Sequence, residues 1–152
     1  MTDFLETTVD KFTFRVATDR LYSRDGLWVL PLEGAGGRVR VGLADYVQQH
    51  SGDTVFVTVR PAGTRLKPGD DFVDFETIKI VITLSSPVGG TIAAVNAALQ
   101  AKPELVNQSP YDEGWLAEID VGDWEVQRRT LLAPDAYLAI MRAEAEGEAR
   151  KP

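Results

Sequence analysis

Short stretches in which apolar and polar residues alternate dominate the chain. Phe12, Phe14 and Val16 alternate with Thr13 and Arg15, Arg38-Val39-Arg40-Val41 repeats the pattern, and Val55, Val57 and Val59 alternate with Phe56, Thr58 and Arg60. A period of two places each set on one face of a strand. Leu27-Trp28-Val29-Leu30, Phe75–Thr83, Thr91–Val95 and Gly114–Ile119 add further strands, rich in the β-branched and aromatic residues that suit a pleated surface. Turn chemistry separates them: Pro31 to Gly37, Pro61-Ala62-Gly63-Thr64 and Leu66-Lys67-Pro68-Gly69-Asp70 carry the residues that reverse a chain.

Helical spacing is scarcer. Leu43, Tyr46 and Val47 predict about two turns over Gly42–His50, ending before Ser51-Gly52-Asp53. Asn96 is placed to cap a short helix over Ala97–Gln100 that Pro103 interrupts, with an ordered loop through Leu105–Tyr111 beyond it. Pro134-Asp135 opens a helix over Ala136–Glu146, with Leu138, Met141 and Ala145 on one side and Ile140 flanking. Residues 1–11 read as a loose polar lead-in and 147–152 as a fraying tail, leaving one domain over 12–146. The expected fold is mainly β: a two-sheet sandwich or flattened barrel with short helices and a C-terminal helix.

Composition narrows the chemistry. No cysteine is present, which excludes disulfides, thiolate metal ligation and thiol catalysis, and a single histidine, His50, excludes a histidine-rich metal centre. The net charge of −7 is concentrated in Asp70, Asp71, Asp74 and Glu76 and again in Asp112, Glu113, Glu118, Asp120, Asp123 and Glu125. Such surfaces repel phosphate backbones and suit basic partner faces, or simply keep a protein soluble. Gly34-Ala35-Gly36-Gly37 has the glycines of a phosphate loop, but a strand and not a helix follows it. The acidic residues after Met1 are unlike a signal peptide, and no apolar run is long enough to span a bilayer, so a cytoplasmic protein without membrane insertion is expected.

One position stands apart. Lys79 interrupts Phe75-Glu76-Thr77-Ile78-Lys79-Ile80-Val81-Ile82-Thr83, where a strand approaches a tight turn and another leaves it. A lysine acting as a base would need burial or a neighbouring cation, and the sequence offers neither. An exposed lysine on a rigid hairpin suits covalent modification, or serves only to protect a strand edge.

The residues from about Leu21 to Tyr137 resemble the lipoyl-carrier H protein family of the glycine cleavage system. Gly52-Asp53-Thr54-Val55-Phe56-Val57 with Pro61, Glu76-Thr77-Ile78-Lys79 and Ser86-Pro87-Val88-Gly89-Gly90 carry the likeness. So do Val95-Asn96 with Leu99 and the long run Pro103-Glu104-Leu105-Val106-Asn107, Ser109-Pro110-Tyr111, Gly114-Trp115-Leu116. The resemblance implies a hammerhead-like fold of the biotinyl/lipoyl type in which Lys79 carries lipoate by an amide bond and Glu76 is a recognition group for the attaching lipoate ligase or lipoyltransferase. It also implies a non-catalytic carrier shuttling an aminomethyl group, with glycine decarboxylase, aminomethyltransferase and dihydrolipoyl dehydrogenase as partners. Ile78 and Ile80 stand where a biotin carrier has methionines. Ile80-Val81-Ile82 replaces the family's small Ala-Ala-Ser, and Arg24-Asp25-Gly26-Leu27-Trp28 keeps the tryptophan of its Glu-His-Glu-Trp but not the histidine. Two alternatives remain: a lipoate carrier for heterodisulfide-reductase-like sulfur oxidation, and an unmodified interaction or regulatory domain.

Overall fold

The alternating stretches become strands in the computed structural model, which describes residues 2–34 and 36–151. In chain order the elements are β1 (Phe4–Val9), β2 (Phe12–Ala17), β3 (Leu21–Tyr22), β4 (Leu27–Pro31), β5 (Arg38–Leu43), α1 (Asp45–Ser51), β6 (Thr54–Val59) and β7 (Arg65–Leu66). There follow β8 (Asp71–Thr77), β9 (Val81–Ser85), β10 (Gly90–Val95), α2 (Ala98–Ala101), α3 (Leu105–Gln108), β11 (Ala117–Asp120), α4 (Trp124–Gln127) and α5 (Pro134–Ala149). A six-stranded sheet runs β3-β4-β5-β11-β10-β7, a three-stranded sheet β6-β8-β9, and β1-β2 form a separate hairpin.

Two cores result. Leu27, Val29, Val39, Val41 and Ile119 of the six-stranded sheet pack against Val57, Phe72, Val73 and Phe75 of the three-stranded one. This is the expected mainly β two-sheet sandwich. On the other side of the six-stranded sheet, Tyr22 and Trp28 meet Val9, Phe14 and Val16 of the hairpin and Tyr137, Met141 and Ala145 of α5. The unbroken apolar run Leu27-Trp28-Val29 follows from this: β4 is covered on both faces, so both of its alternating sets are buried. Gly42, paired with Trp28 across β4–β5, leaves the room the indole takes, since a Cβ there would stand 2.4 Å from the ring.

Several expectations are corrected. Residues 4–9 of the supposed lead-in form β1, paired residue for residue with β2, because Leu5, Thr7 and Val9 alternate with Glu6 and Thr8 and turn inward. Asp10 makes the two-residue turn without a glycine, at φ +58°, a conformation aspartate tolerates. The C-terminal helix continues to Ala149, through much of the supposed tail. Its buried side includes Tyr137, whose ring stacks on Tyr22 with centroids 4.6 Å apart. In β6 the register shifts between Thr54 and Phe56, so Val55 does not share the buried face of Val57. Met1, Ala35 and Pro152 lie outside the described residues, and with Ala35 the middle of the glycine-rich turn.

The acidic surfaces are also partly spent within the fold. Arg38 donates to Asp120 at 2.8 Å and Arg40 to Glu118 at 2.7 Å, each pair lying opposite in the β5–β11 register. Asp74 accepts from Thr83 at 2.6 Å and from Arg60 at 2.9 Å. Asp123 caps α4 through the N–H of Glu125.

Candidate modification site

The turn between β8 and β9 is tied from inside by Thr77. Its backbone N–H donates to the carbonyl of Ile80 at 2.8 Å. Its hydroxyl accepts from the N–H of Lys79 at 3.1 Å and from that of Ile80 at 3.0 Å. A buried threonine thus satisfies the amides that a tight reversal would otherwise leave open. The N–H of Ile78 reaches the carbonyl of Asp53 at 3.1 Å, which fastens the turn to the start of β6.

That start is itself fixed by Asn107 of α3. Its side-chain oxygen accepts from the N–H of Thr54 at 2.9 Å, while its amide nitrogen donates to the carbonyl of Gly52 at 2.9 Å and to Gln48 Oε1 at 3.1 Å. One amide side chain therefore joins the end of α1, the start of β6 and α3, the platform on which the lysine turn rests.

Lys79 is exposed, and its stem runs back over this platform. Nζ donates to the carbonyl of His50 at 3.2 Å, one of the last carbonyls of α1 and without a partner inside the helix. Gly52, at φ +89°, makes the approach possible: a Cβ there would stand 2.9 Å from Lys79 Cε. No carboxylate pairs with the ammonium among the described residues. The amine is accessible, rooted at its backbone and held by one replaceable hydrogen bond.

Apolar groups surround it. Ile78 is 72% and Val81 74% exposed, and on the open face of the three-stranded sheet Phe56, Glu76 and Val81 lie side by side in register. Glu76 is exposed between the two apolar side chains and makes no ion pair among the described residues. Among the same residues no group of three or more His, Cys, Asp or Glu side chains is arranged to hold a metal ion.

A family model described as glycine cleavage H-protein matches residues 20–144. The chain belongs to the glycine cleavage H-protein family. It is 50% identical over 119 residues to the glycine cleavage system H protein of Chlorobium phaeobacteroides, covering 78% of this chain and 91% of that protein. It is 36% identical over 133 residues to that of Thermus thermophilus, covering 86% and 98%. The crystal structure of a glycine cleavage system H protein from Mycobacterium marinum superposes with a TM-score of 0.69 at 31% identity, covering 80% of this chain and 95% of that one.

Of the residues singled out in sequence, Lys79 and Glu76 fall within the H-protein match, and the β1–β2 hairpin falls outside it. Sequence reasoning passed over Thr77, Gly52, Asn107 and the His50 carbonyl as parts of the site. Thr77 sat inside the quoted motif and Asn107 inside the long quoted run, but their roles depend on contacts between elements that no local pattern displays. The positive φ of Gly52 had a signal in the Ser51-Gly52-Asp53 helix stop.

Proposed function

We propose that this chain is the lipoyl-carrier subunit of a glycine cleavage system, with lipoate joined to Lys79 Nζ by an amide bond. The observation that carries the reading is the placement of Lys79: an accessible amine at the tip of a turn whose root is closed by Thr77 and Asp53. The site fits such a group, because acylation removes the ammonium charge without abandoning an ion pair and leaves one N–H for the His50 carbonyl. A bound lipoyl group would supply a disulfide that accepts a carried group and electrons, chemistry that a chain without cysteine lacks.

The chain's own residues position. Thr77 and Asn107 fix where the arm begins, so that its reach is set by the arm and not by a mobile loop. Glu76, unpaired between Phe56 and Val81, is the recognition group for the lipoate ligase or lipoyltransferase. The exposed apolar rim around Lys79 meets partner enzymes, namely glycine decarboxylase, aminomethyltransferase and dihydrolipoyl dehydrogenase, in the cytoplasm. The carrier performs none of their reactions. The relatives above are glycine cleavage proteins, which favours this role over sulfur oxidation or an unmodified domain.

Reconstitution tests the reading. Lipoylated protein should support glycine-dependent carbon dioxide exchange by a glycine decarboxylase, and Lys79→Arg should abolish it. Equal exchange with the Lys79→Arg protein would refute the proposal.

A further inference from the structure

We propose that the outer edge of β1 pairs with the β1 edge of a second copy of this chain, joining two hairpins into one four-stranded antiparallel sheet. Arg15 of β2 spends its N–H on Asp45 at 3.0 Å and its carbonyl on the Tyr111 hydroxyl at 2.7 Å, and the Thr13 carbonyl accepts from Gln49 at 3.0 Å. These groups point away from β1. In an antiparallel ladder the residues opposite them, Glu6 and Thr8, then point their own N–H and C=O groups away from β2, as Phe4 does one repeat earlier. Side chains of α1 and Tyr111 thus cover the β2 edge. The β1 edge is left bare: among the described residues the N–H and C=O groups of Phe4, Glu6 and Thr8 find no hydrogen-bond partner. The strand also lacks the usual protection of an edge, since its six residues pair without a bulge and include neither proline nor lysine.

The charges select the occupant and the register. Two β1 strands related by a two-fold axis meet through the same surface, and only Phe4, Glu6 and Thr8 offer outward groups to bond. One register sets Glu6 against the partner's Glu6, which like charge disfavours. Sliding by one repeat instead sets Glu6 against the partner's Phe4 and Leu5 against the partner's Leu5. Within each chain the Arg15 guanidinium stands 3.7 Å from the Phe4 ring centroid and Arg15 Nε 3.8 Å from Glu6. Glu6 therefore comes beside the partner's Arg15, twice over about the axis, while the half-buried Leu5 is closed against its copy on the inner face. Sliding the other way sets Glu6 against the partner's Thr8, with no cation beside it. The pairing leaves the lysine turn free. The groove of about 390 Å³ that has the hairpin as one wall and α5 as another is lined by Val9, Asp10, Phe12 and Lys79, so Lys79 stands at the turn end of the hairpin. The two turns point in opposite directions, each Val9 four residues beyond the central Leu5 and the two about 27 Å apart. The hairpin lies outside residues 20–144 that match the family, so the pairing belongs to this addition and does not rest on the lipoyl reading.

Sedimentation equilibrium of the full-length protein over a range of concentrations tests the pairing, and the Lys79→Arg protein serves equally, so the answer is independent of lipoylation. The mass should be that of two chains when concentrated and fall to that of one on dilution. Glu6→Pro removes an outward N–H and none of the β1–β2 ladder, and should stay a single chain throughout. Amide exchange in the parent needs no variant. Where about nine-tenths of the chains are paired, the N–H groups of Phe4 and Glu6 should exchange about tenfold more slowly than in dilute protein, because exchange follows the free fraction. The N–H groups of Leu5 and Thr7, bonded to β2 in either state, should not change with concentration. A single-chain mass at every concentration overturns the proposal. So does a two-chain mass with Phe4 and Glu6 still exchanging freely, which would place the contact on another surface. Protection of these two amides only when glycine decarboxylase is added would give the edge to a foreign strand and overturn the pairing as well.

Discussion

Two β-hairpins converge on one groove, and their turns are held differently, one from inside and one from outside. The β8–β9 turn that bears Lys79 is held by hydrogen bonds: Thr77 closes it, Asp53 fastens it and Asn107 fixes the platform below. Its apolar residues Ile78 and Val81 face outward. Among the described residues no side chain closes the β1–β2 turn from inside; its second strand is tied from outside, by Asp45 accepting from the N–H of Arg15 at 3.0 Å and Gln49 and Tyr111 donating to the carbonyls of Thr13 and Arg15 at 3.0 and 2.7 Å, and it packs with Phe14 edge-on to Tyr46 at 5.1 Å and Val9 and Val16 buried against the α5 layer. A group that must present one atom at a defined place needs directional bonds, whereas a wall needs only volume.

That contrast is open to direct attack, beginning with the wall. Phe14→Ala should remove about 3–4 kcal/mol, the usual cost of deleting a buried aromatic, read as a lower urea midpoint. Ligase-catalysed lipoylation of Lys79 in the folded variant should be unchanged, because the lysine turn does not rest on Phe14. Asn107→Ala should cost less, about 2–3 kcal/mol, since it leaves Thr54 N–H and the Gly52 carbonyl without their partner. Unlike the wall variant, it should slow lipoylation, because the platform under Lys79 loosens. A ligation rate that falls for Phe14→Ala and holds for Asn107→Ala would invert the comparison.

Smaller effects sharpen it. Thr77→Val keeps the shape and deletes the lock, costing about 1 kcal/mol and raising amide hydrogen exchange at Lys79 and Ile80 about fivefold. Unchanged exchange at those two amides would mean that the threonine does not hold the turn. Smallest is the acid response of the lysine-bearing sheet. The Thr83 hydroxyl first, and Arg60 beside it, hold the Asp74 carboxyl below its ordinary value of 3.8. A carboxylate with a lowered folded value stabilises the fold above its unfolded value, and that contribution is lost as pH falls through the folded one. Asp74→Asn should therefore flatten the fall of the urea midpoint below about pH 4. An equally steep fall in both proteins would remove this pair from the account.

The same contrast explains what could be read from the sequence. Lys79 and its flanking strands were legible because a period of two and a short motif are local properties, and the apolar run of β4 was legible as a strand for the same reason. The β1 strand was not, since its inward set, Leu5, Thr7 and Val9, includes a threonine that becomes buried only because α5 supplies Arg142 as its hydrogen-bond partner. Tyr137 was missed because its side of α5 is defined by Tyr22, more than a hundred residues earlier. The acidic run Asp112–Glu125 looked unpaired because Arg38 and Arg40 reach it only through the β5–β11 register. Glu76 was legible as a residue, but its setting between Phe56 and Val81 is a cross-strand property.

The most direct test of the central claim is peptide mapping by mass of the protein isolated from its own host, beside a Lys79→Arg control. The account predicts a lipoyl-sized addition confined to the peptide containing Lys79 and missing from the control. Complete absence of that addition, under conditions where the host lipoylates other proteins, would contradict it.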